Sequence, residues 1–494
     1  MNFWNNVVQT AMLGTNKKDI VQQDLPEELL VAVKIINDNA VIDAEEKFIQ
    51  TAALAFNYRQ CGVRPNPQAG ATLSLAPAEE KLYCNTEALQ ALKDILFEDS
   101  VGLLKIWLQL CLQKNQIITP ALIPALMDKS VQQKHLKTLV QECVGKRGAW
   151  LSQFNSEWDF APETNMEDLW QTGTPAERKN TLQQLRNSNS QKAKEWLKET
   201  WPVENANSKN DLLSAISINI SADDIEWLES LLNEKSQKVK DSVLQLLKQI
   251  PTSTIVKQYE EVLRRSVSLR KEKGLLGLSS KTIIHSDITT PVDESIFKSG
   301  IEKLTNRKEF NDDEYIIYQL MQSVAPQFWE KQFLLSPGEI IQMFQKDEIK
   351  KKFIPAMIGA VVQFKDTGWA DAFMKNSHVF YLDIIPLLPV EQQEYYSNKF
   401  FTGHEENIIR YALERDEEWS TELAKNIFKH TAKNYYTYNR AFYNRYIHLI
   451  PVQIVGLLEK CTPQEEHLRE SWSNISEYII KLITLKIETI KAFQ

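Results

Sequence analysis

The chain has 494 residues, 43% of them hydrophobic and 25% charged, enough apolar side chain to offset the ordering entropy of a folded backbone, which excludes a disordered protein. Its 15 glycines and 18 prolines are too few for a sandwich or barrel, which needs a turn every ~8–12 residues, so an all-α protein is predicted. A formal net charge of −8 supplies no global field toward a phosphate backbone and disfavours non-specific nucleic-acid binding.

Apolar residues recur at three- and four-residue spacing from Trp4 to Leu13 and from Leu25 to Ile36, with Gly14 placed as a C-cap glycine, so the chain opens with short helices. A third helix from Glu45 to Cys61 ends at Gly62. Arg64-Pro-Asn-Pro-Gln-Ala-Gly then reads as a loop, a local irregularity inside one N-terminal helical region over residues 1–150. Helical patterns resume at Thr86–Phe97, Gly102–Lys114, Thr119–Lys129 and Val131–Val144. Thr86 and Thr119 are the predicted N-caps, Pro120 a first helical residue, and Gly145-Lys-Arg-Gly the close of the block.

Residues 151–272 carry an internal repeat. Leu182, Leu213 and Leu244 are 31 residues apart, as are Leu185, Ile216 and Leu247, and Trp196-Leu197 and Trp227-Leu228 keep the same offset. A helical hairpin of this length cannot bury its apolar face alone, so neighbouring hairpins must stack, which predicts an α-solenoid. The period is short beside the ~40–47 residues of HEAT units, so the architecture is HEAT-like in an approximate sense. Residues 273–292 break the periodicity. Glycines mixed with β-branched residues from Gly274 to Pro291 predict an irregular loop or small hairpin, and long insertions in helical proteins are often functional. Over residues 293–494 short helices follow one another to the end: Glu314–Val324, Ser336–Gln345, Phe353–Val362, Trp369–Met374, Val390–Phe400, Glu406–Glu414, Ser420–Thr431, Asn439–Ile447 and Val452–Lys460.

Known catalytic signatures are missing from this sequence: there is no histidine pair at i and i+4 with a glutamate, no P-loop, no GxGxxG after a strand and no GxSxG elbow. No catalytic, cofactor-binding or metal-ligating residue is therefore nominated, and no cofactor is expected. His404-Glu405-Glu406 lacks a second histidine and reads as a solvated turn after Gly403; Asp223-Asp224, Asp312-Asp313 and Glu417-Glu418 read as helix-start charge. The cysteines, Cys61, Cys84, Cys111, Cys143 and Cys461, are odd in number with no CxxC pair, which predicts reduced, mostly buried thiols. The first residues lack the basic region and apolar stretch of a secretion signal, and the apolar runs Phe353–Phe364 and Val379–Leu388 are too short to cross ~30 Å of hydrocarbon, so a cytoplasmic protein is expected.

Two segments are candidate interaction surfaces. Arg264, Arg265, Arg270, Lys271 and Lys273 form a basic run that reads either as a solvated helix end or as a patch for an acidic partner or phosphate. The segment from Tyr435 to Tyr446 includes Tyr436, Arg440 and Arg445 and combines aromatic with basic residues, as single-strand binding grooves do. Tyr435, Tyr438, Phe442 and Tyr446 also follow helical spacing, so core packing is the competing reading, and Trp196, Trp227, Trp329, Trp369 and Trp419 read as structural.

Trp4-Asn-Asn-Val-Val-Gln-Thr-Ala-Met-Leu-Gly-Thr, the Arg59-Gln-Cys-Gly corner and Val239-Lys-Asp-Ser-Val-Leu-Gln-Leu-Leu-Lys-Gln-Ile-Pro resemble an uncharacterised bacterial family of large HEAT-like proteins. The resemblance spans much of the chain and rests on packing motifs, so it carries no catalytic residue across. Relatives of this kind tend to be encoded near MoxR-type AAA ATPases, von Willebrand A-domain proteins and SWIM zinc-finger proteins, which implies a part in a chaperone-like assembly system. The expected function is a non-enzymatic scaffold for a protein partner, an AAA ATPase or von Willebrand A-domain protein among the candidates. The alternative is a nucleic-acid-binding or repair protein, which requires the two candidate segments to share one concave face. An enzyme with an unfamiliar site in the central insertion ranks third.

Overall fold

A computed structural model describes residues 2–18, 20, 25–61, 74–158, 160, 165–273 and 280–494. The chain divides into two compact units, Met1–Leu75 and Ala76–Gln494. The boundary falls just beyond the stretch that the sequence pattern presents as a local irregularity. Its physical basis is a separate small core: in the first unit Val7, Leu25, Leu29, Val33 and Ala55 pack with one another and with half-buried neighbours such as Trp4 and Phe48.

The first unit contains α1 (Asn2–Leu13), α2 (Glu27–Asp38) and α3 (Ala44–Cys61). Gly14 ends α1 at a φ of 87°, where its N–H donates to Thr10 O, the left-handed C-terminal position that a residue without Cβ fills at no steric cost. The family-like residues Trp4 and Arg59 meet here, the guanidinium 5.1 Å from the indole centroid. The predicted Gly62 helix stop and the Arg64–Gly70 loop lie outside the described residues.

In the second unit β1 (Leu82–Tyr83) pairs in parallel with β2 (Gln116–Ile117). Between and after them run α4 (Thr86–Glu98), α5 (Val101–Gln113), α6 (Ile123–Gln132) and α7 (Lys137–Ser152). The cap of α4 is Asn85, whose side chain accepts from Ala88 N, rather than Thr86. Thr119 makes no side-chain cap bond, and Pro120 opens a 3-10 turn that precedes α6. Gly145 does not end α7 but kinks it, at φ 63°. The Glu79 carboxylate then accepts from the N–H groups of Lys146 and Arg147, re-capping the helix after the kink.

The repeat region follows as α8 (Met166–Thr172), α9 (Pro175–Ser188), α10 (Ser190–Thr200), α11 (Ala206–Ile216), α12 (Ile225–Ser230), α13 (Gln237–Leu247) and α14 (Thr254–Ser266). Helices α9, α11 and α13 pack side by side, with α10 returning on α9 and α12 on α13. Leu182, Leu213, Leu185, Ile216, Leu247, Leu197 and Leu228 are all buried, as the 31-residue offset requires. The same offset governs residues that the leucine pattern does not reveal. Trp170 and Trp201 stand 31 apart and carry the cations Arg178 and Lys209, 4.5 and 4.9 Å from their ring centroids. Each cation in turn pairs with a carboxylate farther along the chain, Arg178 with Glu204 at 2.6 Å and Lys209 with Glu234 at 2.9 Å. The hairpins are thus joined by repeated indole–cation–carboxylate contacts as well as by leucines.

Two strands, β3 (Val267–Lys273) and β4 (Ser280–Ser286), pair antiparallel through seven residues, from Val267↔Ser286 to Lys273↔Ser280. The predicted small hairpin exists, but it begins at Val267 and not at residue 273: α14 passes into β3 without a loop. Beyond it lie α15 (Glu294–Lys298), α16 (Asp312–Gln322), α17 (Gln327–Phe333), α18 (Pro337–Lys346), α19 (Ile354–Gln363), α20 (Thr367–Asn376), α21 (Val390–Lys399), α22 (Glu405–Arg415), α23 (Thr421–Thr431), α24 (Arg440–Tyr446) and α25 (Glu466–Ala492). The run Val452–Cys461 is 3-10 rather than α-helical. Short helices do not continue to the end, because α25 is 27 residues long. Its buried Leu468, Trp472, Ile475, Ile479, Leu482 and Ile483 keep the three–four spacing of one apolar stripe.

Helix α25 packs on α4 and α5, and α24 also packs on α5, so the end of this unit returns to its beginning. Asn85 Nδ2 donates to Ala492 O at 2.9 Å, and Trp107 meets Phe493 edge-on at 5.4 Å. Gly102 sits where a Cβ would lie 2.7 Å from Arg445 O, so only glycine lets the helices approach this closely. Trp107, Trp170, Trp329, Trp369 and Trp419 are among the largest fully buried side chains of the one hydrophobic core that runs through the unit. Among the described residues no helix is long and apolar enough to cross a membrane.

Candidate interaction surfaces

The basic run is divided by the passage from helix to strand. Arg264 and Arg265 end α14, whereas Arg270, Lys271 and Lys273 belong to β3 and not to a helix end. The period of apolar residues fades there because Val267 and Leu269 alternate as a strand does, with Ile284 opposite Leu269 on β4. Arg265 pairs with Glu261 at 2.7 Å, and Arg270 and Lys271 are exposed. The side chain of Lys273 lies outside the described ones. Arg264 faces a cleft of about 690 Å³ between α14 and α17, with Lys257, Glu260, Phe328, Lys331 and Gln332. Lys257, Glu260 and Arg264 lie on one face of α14 by their three–four spacing. Among the described residues none of the three cations has a carboxylate within ion-pair distance. Burial raises the Glu260 carboxyl above its ordinary range, against the pull of Arg264, Lys331 and Lys257.

The tyrosine segment is not one helix. Asn439 caps α24 by accepting from Ala441 N and Phe442 N, which leaves Tyr435 and Tyr436 in the preceding turn with ring centroids 4.1 Å apart. Tyr436 is 82% exposed while Tyr438 and Tyr443 are buried, so the segment serves packing through some residues and faces solvent through others. Arg440 lies over Tyr478 at 5.3 Å and Arg445 over Tyr446 at 5.5 Å. Helix α24 packs on α5 and α25, whereas α14 packs on α15, α16 and β3. The structure places the two candidate segments in different packing neighbourhoods.

Tyr438 instead joins a groove that the sequence does not single out. Its hydroxyl donates to Glu406 Oε2 at 2.6 Å, and His430 Nε2 lies 2.8 Å from Glu406 Oε1. These hydrogen bonds, that from Tyr438 foremost, hold the Glu406 carboxyl below its usual range. His404 follows the turn at Gly403 and stands at the N-cap position of α22 without a side-chain cap bond, half-buried with its ring 5.1 Å from Phe380. Glu406, Arg410 and Glu414 lie one turn apart along α22 and line a hollow of about 380 Å³, and Arg410 and Glu414 also line an adjoining one of about 800 Å³. The larger also takes Gln322, Gln363, Tyr381 and Asp383. Tyr438 and His430 both direct their protons at Glu406, an arrangement that staples α22 and α23 to the turn before α24.

Two further buried ionisable clusters also bind neighbouring helices. Arg186 and Asp224, each 1% exposed, pair at 2.6 Å, and the guanidinium also donates to the carbonyls of Ile216, Ile218, Asn219 and Ser190. Asp224 is thus more than helix-start charge, although it does close a capping box with Ser221. Lys486 donates to Glu418 and to the carbonyls of Ile447, His448 and Ile450. Three cysteines widely spaced in sequence converge: Cys84 and Cys111 sulfurs are 3.6 Å apart, and Cys143 hydrogen-bonds Cys111. The bond to Cys111 and burial push the Cys84 thiol far up, and the contact with Cys143 and burial push Cys111 up against the bond from Cys84, the reverse of what an activated nucleophile needs. Among the described residues no group of three His, Cys, Asp or Glu side chains is arranged to hold a metal ion.

A family model described as a family of unknown function, DUF5691, matches residues 6–493. No curated protein and no solved structure matches the chain.

Proposed function

We propose that this chain, which belongs to DUF5691, a family of unknown function, works as a non-enzymatic scaffold or adaptor for a protein partner, its stacked hairpins forming a HEAT-like α-solenoid. The observation that carries the reading is the side-by-side packing of α9, α11 and α13 at one 31-residue offset. Such stacking builds broad faces from repeated short helices and places the ionisable groups between hairpins. Arg186, Asp224, Glu406 and Lys486 then act as joints between helices and leave recognition to the surface. A place in the cytoplasm beside a MoxR-type AAA ATPase or a von Willebrand A-domain protein is the partner setting that the family-like motifs imply. The second reading, nucleic-acid binding, draws on the unpaired cations Lys257, Arg264 and Lys331, which a phosphate would also satisfy.

The test is purification of the tagged full chain from its native cell, with nuclease added and washes at moderate and high salt, followed by mass spectrometry. A protein partner retained after nuclease supports the scaffold. Nucleic acid that is recovered without nuclease and lost at high salt, with no protein retained, overturns it in favour of the second reading.

A further inference from the structure

The hairpin β3–β4 contains two strands, so each strand has an outer edge. The hydrogen bond from Asp287 N to Ser266 O, at 2.9 Å, closes the ladder just outside the Val267↔Ser286 pair. In an antiparallel ladder this makes Val267 and Ser286 a pair without mutual hydrogen bonds, whose N–H and C=O groups point away from each other. Alternation then directs the backbone groups of Val267, Leu269 and Lys271 to the outer edge of β3. Val267 O confirms the assignment by accepting from Gln332 Nε2 on α17 at 3.3 Å. Among the described residues nothing bonds this edge at Leu269 or Lys271.

The same Gln332 amide also donates to Arg264 O, at 3.3 Å, and Gln332 lines the cleft between α14 and α17. The open edge and the basic cleft therefore share a wall. Val267 and Ile284 bury the base of the hairpin, whereas Arg270 and Lys271 stand exposed beyond it. Cations on a strand edge are a common guard against pairing with another copy of the same edge. Here the guard has a direction: like charges refuse a second cationic edge, and an acidic strand meets attraction instead.

We propose that the outer edge of β3, together with the Lys257–Arg264–Lys331 cleft, is the docking site for an extended acidic segment of a protein partner, which adds as a strand and sets a carboxylate among the three cations. This proposal rests on the scaffold reading and specifies where that scaffold engages. A strand supplies what the edge lacks, backbone donors and acceptors in register, and its acidic side chains bring carboxylates within ion-pair distance of the three cations, which Glu260 in the same cleft does not reach. A nucleic acid satisfies the cations but not the edge.

The experiment uses the full chain and a fluorescein-labelled peptide of roughly ten residues alternating glutamate and threonine, a length that matches an ordinary strand. Binding is expected to weaken with salt and to fall by at least about tenfold in K257E/R264E/K331E. It is also expected to fall in Lys271→Pro, which deletes an outward N–H while leaving the ladder intact. All four positions are exposed, and unchanged circular dichroism and melting verify that the variants fold. The proposal is overturned by absence of salt-sensitive binding, by equal binding of a peptide with alternate amides N-methylated, or by tighter binding of a single-stranded oligonucleotide of equal charge.

Purification from the native cell with wild type and the triple variant separates the two failures. A partner lost only from the variant supports this site. A partner retained equally by both leaves the scaffold standing and removes the site, and no partner on either removes both.

Discussion

The Arg186–Asp224 pair offers the sharpest test of what joins the repeats. Arg186 leaves the end of α9 and donates to three carbonyls at the end of α11, those of Ile216, Ile218 and Asn219, before reaching both oxygens of Asp224. It caps a neighbouring helix and neutralises a buried carboxylate in one contact. Asp224→Ala strands a guanidinium with no counter-charge, which costs about 3–5 kcal/mol for a buried pair, and loss of the Ser221 capping box adds ~1 kcal/mol. Arg186→Met leaves the carboxylate with only the longer contact to buried Lys194, at 3.8 Å, and the α11 carbonyls without their donor, each orphaned carbonyl costing about 1–3 kcal/mol. The double variant removes both charges together, and although it leaves buried Lys194 without the Asp224 carboxylate, its loss should fall short of the sum of the singles. Urea unfolding followed by far-ultraviolet circular dichroism and tryptophan fluorescence measures this, coincident transitions establishing that one unfolding step is compared. Single losses below about 1 kcal/mol, or strict additivity in the double variant, would refute the idea that this pair locks the hairpins.

Three further outcomes follow from the packing. Burial foremost, with the nearby cations Lys105 and Lys486, holds His448 below its ordinary ~6.5 against the pull of the Asp416 carboxylate, 2.9 Å away. The unfolded chain therefore binds the proton first. Stability should fall as pH drops through about 6.5 toward the folded value, and His448→Gln should flatten that slope in urea midpoints measured between about pH 7 and 5. Gly102→Ala would stabilise an isolated helix by about 1 kcal/mol, yet here its Cβ would press on Arg445 O and Ile447 Cγ2 at 2.7 and 2.8 Å. A loss of about 1–3 kcal/mol is expected, and a rise in melting temperature would contradict the return of the C-terminal helices onto α5. Ellman's reagent should label exposed Cys61 rapidly and Cys84, Cys111, Cys143 and Cys461 only as the chain unfolds; fast labelling of a second thiol at native conditions would show that the thiol cluster opens.

Much of the helical order was legible because helices write themselves at short range. The caps Ser336 and Ser420 and the leucines at 31-residue offset announce their elements through spacing that needs no tertiary knowledge. The hairpin was half legible: glycines and β-branched residues marked its second half, but Val267–Lys273 reads as the continuation of a charged helix, and only pairing with Ser280–Ser286 makes it a strand. The tyrosine segment misleads for a related reason. Its period fits a helix from Tyr435 to Tyr446, while the local competition of the Asn439 side chain for the backbone N–H groups starts the helix later. Long-range polar contacts had no one-dimensional trace. Arg186 and Asp224 are 38 positions apart, Lys486 and Glu418 are 68 apart, and nothing in either neighbourhood distinguishes a buried cation from a solvated one.

The 31-residue offset carries one more consequence, at the position of Arg186 itself. The corresponding residues are Ser217 and Lys248, so the last turn or C-cap of the first helix holds a paired cation, a small hydroxyl and a second cation in turn. Lys248 is 7% exposed, and burial lowers its ammonium below the ordinary lysine range with no carboxylate set against that cost. Its folded value lies below its unfolded value, so the penalty is complete at neutral pH and shrinks as pH rises toward ~10.4. Lys248→Met keeps the stem and removes the charge, which should raise stability by about 1 kcal/mol near pH 7 and lose that advantage in alkali. The measurement is the urea midpoint of both proteins at neutral and alkaline pH. Destabilisation by the methionine at neutral pH would mean that the ammonium holds a partner in the folded chain, and the parallel with Arg186 would then be one of pairing as well as position.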